Sequence, residues 1–271
     1  MTYETILMEK KDQITTITLN RPKSKNAMNP RMHQDMCDAL AQVESDDDCR
    51  VLVITGAGDS FCAGMDLKEY FHDTEADPAA RVAARKAAFD WMYKRLRLLP
   101  KPTIAAVNGW CFGGGFCVLG TCDFAIASET ATFGLSEVNW GIIPAGGAAK
   151  MVISLMAPRD ALYTIMTGKT FTGKQAAEMR LVNSAVPRER LEEATLELAE
   201  ELKKKNPTVL AYCKELFRVD QQLGIEDAVA WETAKWQELD WIGKKTWQKG
   251  VKQFKDEKSF RPGLETYQWK E

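Results

Sequence analysis

The segment TIAAVNGWCFGGGF, residues 103–116, joins a short apolar run to three successive glycines. The run from Thr103 to Val107 has the β-branched, apolar character of a buried strand. The glycines at 113–115 allow positive φ and leave their backbone N–H groups open to a ligand. The apolar run from Cys117 to Cys122 predicts a short buried helix, whose N-terminus would direct free N–H groups at an acceptor oxygen. The segment therefore predicts a strand that ends in a nest for an oxyanion or a phosphate.

A second loop with small residues, Phe61 to Leu67, follows the apolar strand predicted from Val51 to Thr55. Small residues at Ala63 and Gly64 let the chain approach a ligand and leave the Met65 N–H exposed. Two such loops from parallel strands could direct two N–H groups at one oxygen. This is the geometry of an oxyanion hole, in which each donor is typically worth about 3 to 4 kcal/mol.

A third element, residues 133–141 (FGLSEVNWG), carries a single carboxylate in apolar and aromatic surroundings. Burial there would favour the protonated acid of Glu137 and raise its pKa towards the range used in acid/base catalysis. A solvated or capping role is the ordinary alternative for a glutamate in a loop. Glu137 is therefore a candidate general acid/base whose role depends on its surroundings.

Strands and helices alternate through the first two thirds of the chain. Asn29-Pro30 is typical of a helix start, and apolar residues at helical spacing continue the predicted helix to about Glu44. Strands are predicted at Ile14–Leu19, Val51–Thr55, Thr103–Val107 and Phe124–Ala127. Such alternation indicates an α/β fold with right-handed crossovers.

Helices alone are predicted after about Pro187, over residues 188–205, 207–223 and 225–254. Four tryptophans lie in the third stretch at spacings that do not form one helical stripe: Trp231, Trp236, Trp241 and Trp247. They either cover a partner surface or pack within the subunit. The change of pattern divides the chain into residues 1–187 and 188–271.

Composition excludes several classes of protein. Lysine and arginine number 36 against 38 aspartates and glutamates, a net charge of −2 that disfavours nucleic-acid binding. Apolar runs are too short to cross a bilayer and the N-terminus is charged, which predicts a cytoplasmic protein without membrane contact. The two histidines are isolated, so no metal site is predicted, and seven cysteines without C-x-x-C pairs suggest reduced thiols. Nucleotide motifs also fail, because the glycines do not match G-x-G-x-x-G and Tyr163 replaces the first glycine of a P-loop at 163–170.

Together these elements resemble the crotonase, or enoyl-CoA hydratase/isomerase, superfamily. The shared motifs, in order, are Asn20-Arg21-Pro22, Asn26-Ala27, Ala63 to Leu67, Gly109 to Gly115, Cys122-Asp123 and Phe133 to Glu137. The likeness covers almost the whole chain, and residues 65–71, 107–116 and 136–141 are most similar to the hydroxycinnamoyl-CoA hydratase-lyases. The resemblance implies a spiral of ββα units over residues 1–187, with a helical trimerisation region at 188–271.

The same resemblance implies roles for individual residues. The N–H groups of Met65 and Gly114 would hold a thioester carbonyl, and Glu137 would move the proton. Cys117 stands where simple hydratases carry a second glutamate and hydratase-lyases carry a serine, so it could help shape a water site. The acyl-CoA site would be lined by Ser24, Ala63, Leu67, Ser136 and Trp140. No cofactor is implied, because CoA enters as part of the substrate.

Recognition of the aromatic ring is where the chain departs from the hydratase-lyase pattern. The resemblance implies two tyrosines at the para-hydroxyl, and Tyr70 supplies the first. No tyrosine occurs between Tyr212 and Tyr267, and Trp231 or Thr233 stands near the place of the second. The chain could therefore hydrate aromatic enoyl-CoAs with or without cleaving them.

The leading hypothesis is hydration of feruloyl-CoA or 4-coumaroyl-CoA, followed by retro-aldol cleavage to an aromatic aldehyde and acetyl-CoA. The alternatives are an enoyl-CoA hydratase without lyase activity, a single-glutamate isomerase, and a non-catalytic CoA-thioester or RNA-binding member of the fold. The resemblance also implies self-association as a trimer or a dimer of trimers.

Overall fold

Two compact units form the computed structural model, which describes residues 2–269. The first unit holds residues 2–99 and 103–199, and the second holds residues 100–102 and 200–269. The strands are β1 (Ile6–Lys11), β2 (Ile14–Leu19), β3 (Val51–Gly56), β4 (Ser60–Cys62), β5 (Thr103–Val107), β6 (Trp110–Phe112), β7 (Phe124–Ser128), β8 (Thr132–Gly134), β9 (Phe171–Thr172) and β10 (Ser184–Val186).

The α-helices are α1 (Pro30–Ser45), α2 (Pro78–Phe89), α3 (Gly115–Thr121), α4 (Ala148–Leu155), α5 (Pro158–Thr167), α6 (Gly173–Glu178), α7 (Leu191–Lys204), α8 (Pro207–Asp220), α9 (Ile225–Ile242) and α10 (Trp247–Lys252). Short 3₁₀ turns lie at Pro22–Ser24, Ser136–Trp140 and Arg188–Arg190, and π-helical turns lie at Leu67–His72, Asp90–Leu96 and Gln253–Glu257.

The main sheet has the strand order β1-β2-β3-β5-β7-β10. β1 and β2 form an antiparallel hairpin, and the remaining neighbours pair in parallel. The strands predicted at Ile14–Leu19, Val51–Thr55 and Thr103–Val107 form the middle of this sheet, where their apolar, β-branched side chains are buried on both faces. The carboxyl ends of β3 and β5 therefore lie side by side.

A second, smaller sheet has the order β4-β6-β8-β9, and sequence analysis missed it. β4, β6 and β8 each follow a strand of the main sheet after a short turn, and they pair in parallel with one another. The sequence predicts that the glycine nest follows β5 directly. Instead the glycine-rich segment begins with β6, and the three glycines follow that strand. Each such pair of consecutive strands therefore leads the chain from the main sheet to the smaller one. The α3 helix begins at Gly115, shortly after β6 ends.

Aromatic and apolar side chains fill the core of the first unit. Phe133 and Phe171 stack with ring centroids 5.4 Å apart, and Phe116 packs edge-on against both. The predicted helix at residues 30–44 is present as α1, capped by the Asn29 side chain, which accepts from the Met32 N–H. Its apolar stripe is buried, as the helical spacing of its methionines predicts.

The second unit is helical, and α8 packs against α9. The stretch predicted from Ile225 to Phe254 is not one helix, because the chain turns between α9 and α10, with positive φ at Lys244 and Lys245. Trp241 is 86% exposed in the described chain, so it does not pack within its own subunit. The division at residue 187 stays a prediction.

His33 lies on α1 and is fully buried in the core. The Trp91 indole N–H donates to its Nδ1 at 2.9 Å, so the neutral ring carries its proton on Nε2. Burial lowers the pKa of His33 from 6.5 to about 3. A protonated ring could not accept the tryptophan hydrogen bond, so the packing here requires a neutral histidine.

We expect acid to destabilise the fold through His33. Below pH 6.5 the unfolded histidine binds a proton while the folded one does not until about pH 3, so the free energy of unfolding falls by about 1.4 kcal/mol per pH unit from this group. Denaturant titrations between pH 7 and 4.5 should show a shallower decline for His33→Gln than for wild type. Equal slopes for wild type and His33→Gln would contradict the assignment.

Candidate active site

An isolated parallel bridge joins the loop after β4 to the segment that precedes α1. The Met28 N–H donates to the Gly64 carbonyl at 2.7 Å, and the Asp66 N–H donates to the Met28 carbonyl at 2.9 Å. In a parallel bridge of this kind the bonds use the groups on either side of Met65, so its own N–H points away from Met28. Among residues 2–269 that N–H has no hydrogen-bond acceptor.

Glycines bring this loop against the turn into α3. A Cβ on Gly64 would lie 2.9 Å from the Phe112 carbonyl oxygen and 3.0 Å from the Gly114 nitrogen, and Gly64 has a φ of +94°. A Cβ on Gly115 would lie 2.4 Å from the Cys62 carbonyl oxygen. The two main chains therefore meet at distances that only glycine allows, as the sequence predicts for Gly64.

Gly114 is the N-cap of α3, and its N–H also has no acceptor within the described part of the chain. A Cβ on Gly114 would lie 3.1 Å from Met28 Cε and 3.4 Å from Met65 Cγ, which places these residues around one point. Two unpaired N–H groups, from Met65 and Gly114, thus come from adjoining loops beside the positive end of a short helix. The pair predicted from the sequence is brought together.

Arg21 ties the Met65 loop to the rest of the unit. One guanidinium nitrogen donates to the Ala27 carbonyl at 2.6 Å and to Asp66 at 2.8 Å, and the other contacts Glu69. Asp66 also accepts from the N–H groups of Lys68 and Glu69, at 3.0 and 2.8 Å. Burial works to raise the pKa of Asp66, but the Glu69 N–H and the Arg21 guanidinium outweigh it and hold the pKa below its usual range. Asp66, the residue after Met65, is thereby held both by the Arg21 guanidinium and by two backbone N–H groups.

Glu137 lies on the 3₁₀ turn that follows β8, and its carboxylate reaches the glycine turn. A Cβ on Gly113 would lie only 3.2 Å from Glu137 Oε1. The other oxygen, Oε2, is buried and has no hydrogen-bond partner among residues 2–269. Burial raises the pKa of Glu137, as the sequence predicts from its apolar surroundings. A carboxylate with an unused oxygen thus stands one residue from the Gly114 N–H.

Cys117 is one helical turn beyond Gly114 on α3 and is 1% exposed. Its Sγ lies 3.6 Å from the Gly146 carbonyl oxygen, and burial raises the pKa of the thiol to about 11. The Tyr93 hydroxyl donates to the same carbonyl. The thiol is therefore protonated at neutral pH and shares the Gly146 oxygen with the tyrosine.

Tyr70 lies on the π-helical turn that begins after Asp66. Its ring meets His33 edge-on, with centroids 5.3 Å apart, and it is half-buried. Burial raises the pKa of Tyr70, and the charges of Arg85 and Arg81 act in the opposite direction. The Arg21 and Asp66 contacts thus also fix the turn that carries Tyr70.

The other residues predicted to line the site are spread around the same loops. Ala63 donates its N–H to the Lys25 carbonyl at 3.0 Å, next to Gly64. Ser136 is partly buried beside Glu137, whereas Leu67 is 61% exposed, Trp140 is 68% exposed and Ser24 is exposed. The roles of all five residues stay predictions.

Sequence reasoning missed three contributors to this region. Met28 supplies the bridge to Met65, Tyr93 contacts Cys117, and Gly146 supplies the carbonyl between them. Met28 follows directly on the Asn26-Ala27 motif and could have been suspected from it. Nothing in the pattern around Tyr93 signals its position.

Searches of the described residues found neither a metal-ligand cluster of three or more His, Cys, Asp or Glu nor a helix long and apolar enough to cross a membrane.

Comparison with known proteins confirms the predicted resemblance and the α/β crotonase fold. A hydroxycinnamoyl-CoA hydratase-lyase from Pseudomonas fluorescens is 47% identical over 269 residues, which cover 98% of this chain and 97% of that protein. The enoyl-CoA hydratase EchA19 of Mycobacterium tuberculosis is 33% identical over 232 residues, which cover 81% of this chain and 87% of that protein. A crystal structure of an enoyl-CoA hydratase from Bacillus anthracis matches with a TM-score of 0.85 and 30% identity, over 94% of this chain and 97% of that one. The enoyl-CoA hydratase/isomerase pattern spans residues 9–262, and the chain belongs to that family.

Proposed function

We propose that this chain is a lyase that hydrates an aromatic enoyl-CoA, feruloyl-CoA or 4-coumaroyl-CoA, and cleaves the product to vanillin or 4-hydroxybenzaldehyde and acetyl-CoA. The observation that carries the proposal is the placement of the half-buried Glu137 carboxylate, with its buried Oε2, beside the glycine turn that carries the Gly114 N–H. The hydroxycinnamoyl-CoA hydratase-lyase that is 47% identical over nearly the full chain supports the aromatic substrate and the cleavage step.

The N–H groups of Met65 and Gly114 bind the thioester carbonyl oxygen of the substrate. When water adds to the β-carbon, the electron pair of the double bond moves to the α-carbon and onto that oxygen. Negative charge therefore develops where two fixed donors already point, so they stabilise the transition state more than the substrate.

Glu137 moves the protons of both steps. In hydration its carboxylate takes a proton from the attacking water and returns it to the α-carbon of the enolate. In cleavage it takes the β-hydroxyl proton, the bond between the α- and β-carbons breaks, and the electron pair forms the enolate of acetyl-CoA while the aldehyde leaves. Protonation of that enolate gives acetyl-CoA. The raised pKa of Glu137 suits a group that must both accept and donate.

Tyr70 is the proposed partner of the para-hydroxyl of the ring. The half-buried ring is held against His33, so its hydroxyl can bind a substrate phenol without first being ordered. Ser24, Ala63, Leu67, Ser136 and Trp140 are proposed to line the acyl-CoA site. CoA arrives as part of the substrate, and no separate cofactor or metal is proposed.

Hydration without cleavage is the second candidate, favoured by the absence of a tyrosine between Tyr212 and Tyr267. Retro-aldol cleavage is assisted when a polarised para-hydroxyl pushes electrons through the ring. A single tyrosine would give less of this assistance than two, and the hydroxyacyl-CoA would then be released intact.

Residues 188–271 are proposed to assemble the chain into a trimer or a dimer of trimers. Large apolar side chains of the second unit support this, since Trp241, Ile225 and Phe217 are 86%, 78% and 73% exposed. A cytoplasmic location is proposed from the seven cysteines, none of which forms a disulfide in the described part of the chain.

Product analysis tests the proposed function directly. Purified protein incubated with feruloyl-CoA should release vanillin and acetyl-CoA in equal amounts, as measured by liquid chromatography. Hydroxyacyl-CoA without aldehyde would remove the cleavage step and leave the hydratase. Turnover of crotonyl-CoA with none of feruloyl- or coumaroyl-CoA would contradict the aromatic substrate, and a moved double bond without incorporated solvent oxygen would identify an isomerase.

Glu137→Gln should lower kcat at least about 100-fold, because the amide keeps the shape of the carboxylate but cannot accept the proton. Substrate binding should survive, as measured by calorimetry with a saturated acyl-CoA. Glu129→Gln, on the exposed turn between β7 and β8, is the matched control and should retain wild-type rates. Turnover by Glu137→Gln at the wild-type rate would refute the acid/base role, whereas loss of binding would indicate a structural one.

Gly64→Ala tests the N–H pair of Met65 and Gly114, and Gly58→Ala is a control that carries the same backbone strain. Gly64 and Gly58 both have positive φ, so alanine costs about 1 to 2 kcal/mol of stability at either site. Only at Gly64 does the new Cβ press on the Gly114 nitrogen, whereas at Gly58 its nearest neighbour is Pro22 Cβ at 3.4 Å. We expect kcat to fall at least about 10-fold in Gly64→Ala and to change little in Gly58→Ala, well below both melting temperatures. Similar kcat values for the two variants would show that the junction is not the donor site.

A further inference from the structure

Tyr93 lies outside every motif of the sequence, yet its hydroxyl reaches the helix of the donor pair. The residue is on the π-helical turn Asp90–Leu96, which packs against α3. Its Oη donates to the Gly146 carbonyl, which also accepts from the Cys117 thiol at 3.6 Å. The Gly146 oxygen therefore joins two side chains that come from separate parts of the chain.

The main chain at Gly146 and Gly147 bends onto this hydroxyl. Both glycines have positive φ, +64° and +103°, and a Cβ on Gly147 would lie 2.2 Å from Tyr93 Oη. The turn leads directly into α4, and a Cβ on Gly120 of α3 would lie 2.7 Å from Met151 of α4. The Gly146 carbonyl is thus fixed by the close packing of two helices and by the tyrosine.

Cys117 connects this cluster to the proposed reaction site. Residues 114 and 117 are three apart, so they lie on one face of the chain as α3 begins, separated by a rise of about 4.5 Å. The charge of Glu137 adds to the burial that raises the pKa of Cys117, which is consistent with the thiol and the carboxylate facing one region. Among residues 2–269, the buried Glu137 Oε2 has no hydrogen-bond partner.

We propose that Tyr93 is a positioning residue for hydration: its hydroxyl fixes the Gly146 carbonyl, and that carbonyl orients the Cys117 thiol at the water site opposite Glu137. The inference rests on the proposed function, since it deepens the hydration step. The phenol O–H and the thiol S–H both donate to the Gly146 oxygen, so the thiol hydrogen is turned away and a sulfur lone pair is left to accept a hydrogen of the attacking water. The second hydrogen of that water goes to Glu137, so the oxygen lone pair is directed at the β-carbon.

This arrangement explains how a cysteine can stand where simple hydratases have a second glutamate. A protonated thiol is a weak hydrogen-bonding group and would place a water poorly by itself. Burial raises the pKa of Tyr93, so the phenol remains a hydrogen-bond donor over the working pH range and keeps the Gly146 carbonyl in one position. Neutral dipoles then orient the water, and only Glu137 exchanges protons with it.

The test is the hydration rate of Tyr93→Phe, followed with both crotonyl-CoA and feruloyl-CoA by loss of the enoyl thioester absorbance. We expect kcat to fall about 10- to 100-fold with KM within about twofold of wild type, because the water and not the thioester is misplaced. Tyr163→Phe, at an exposed position on α5, is the matched control and should match wild type. An unchanged kcat, or a change confined to KM, would overturn the inference.

A double-mutant cycle separates positioning from a general packing defect. If Tyr93 acts through the cluster, Tyr93→Phe combined with Cys117→Ala should lose little more than the larger single loss. Losses that multiply would overturn the inference. A wild-type protein that hydrates but releases no aldehyde fails only the cleavage proposal, whereas one that hydrates no enoyl-CoA fails both.

Discussion

The site depends on one steric constraint, the approach of two main chains at Gly64 and at Gly115. A Cβ on either residue would overlap backbone atoms of the other loop or stand within 3.0 Å of them. Because no side chain separates the loops, the Met65 and Gly114 N–H groups can face a common point, and neither is used in a sheet or helix. Glycine costs backbone entropy on folding, so the pairs of consecutive strands must hold both loops rigidly for this arrangement to persist.

Arg21 supplies much of that rigidity, and it does so with a charge that is largely withdrawn from water. Its side chain is 15% exposed and is matched by Asp66, Glu69 and the Ala27 carbonyl. Removing one partner of a buried pair typically costs about 3 to 5 kcal/mol, because the remaining charge is left uncompensated. The loop after Met65 is therefore coupled to the segment before α1, and the same contacts order the turn that carries Tyr70.

The sequence was sufficient for the parts of the site that are local. Each of the β3 and β5 strands, the glycine turn and the half-buried Glu137 has a signal within about ten residues, although the turn follows β6 and not β5 directly. β4, β6 and β8 were missed because strands of three residues show no periodicity. Tyr93 was missed for another reason: its partner Cys117 is 24 residues away, and only the packing of α3 against the Asp90–Leu96 turn brings them together.

The electrostatics of the site favour a single proton-transfer group. Burial already disfavours the charged form of Glu137, and a second carboxylate at position 117 would raise its pKa further by repulsion. The thiol that stands there has a pKa of about 11, so it brings no charge at neutral pH. Glu137 can therefore ionise alone, and in the proposed reaction the negative charge that develops on the thioester oxygen meets the N–H groups of Met65 and Gly114. A retro-aldol step needs this combination, because the base must be charged at the β-hydroxyl while the enolate forms two carbons away.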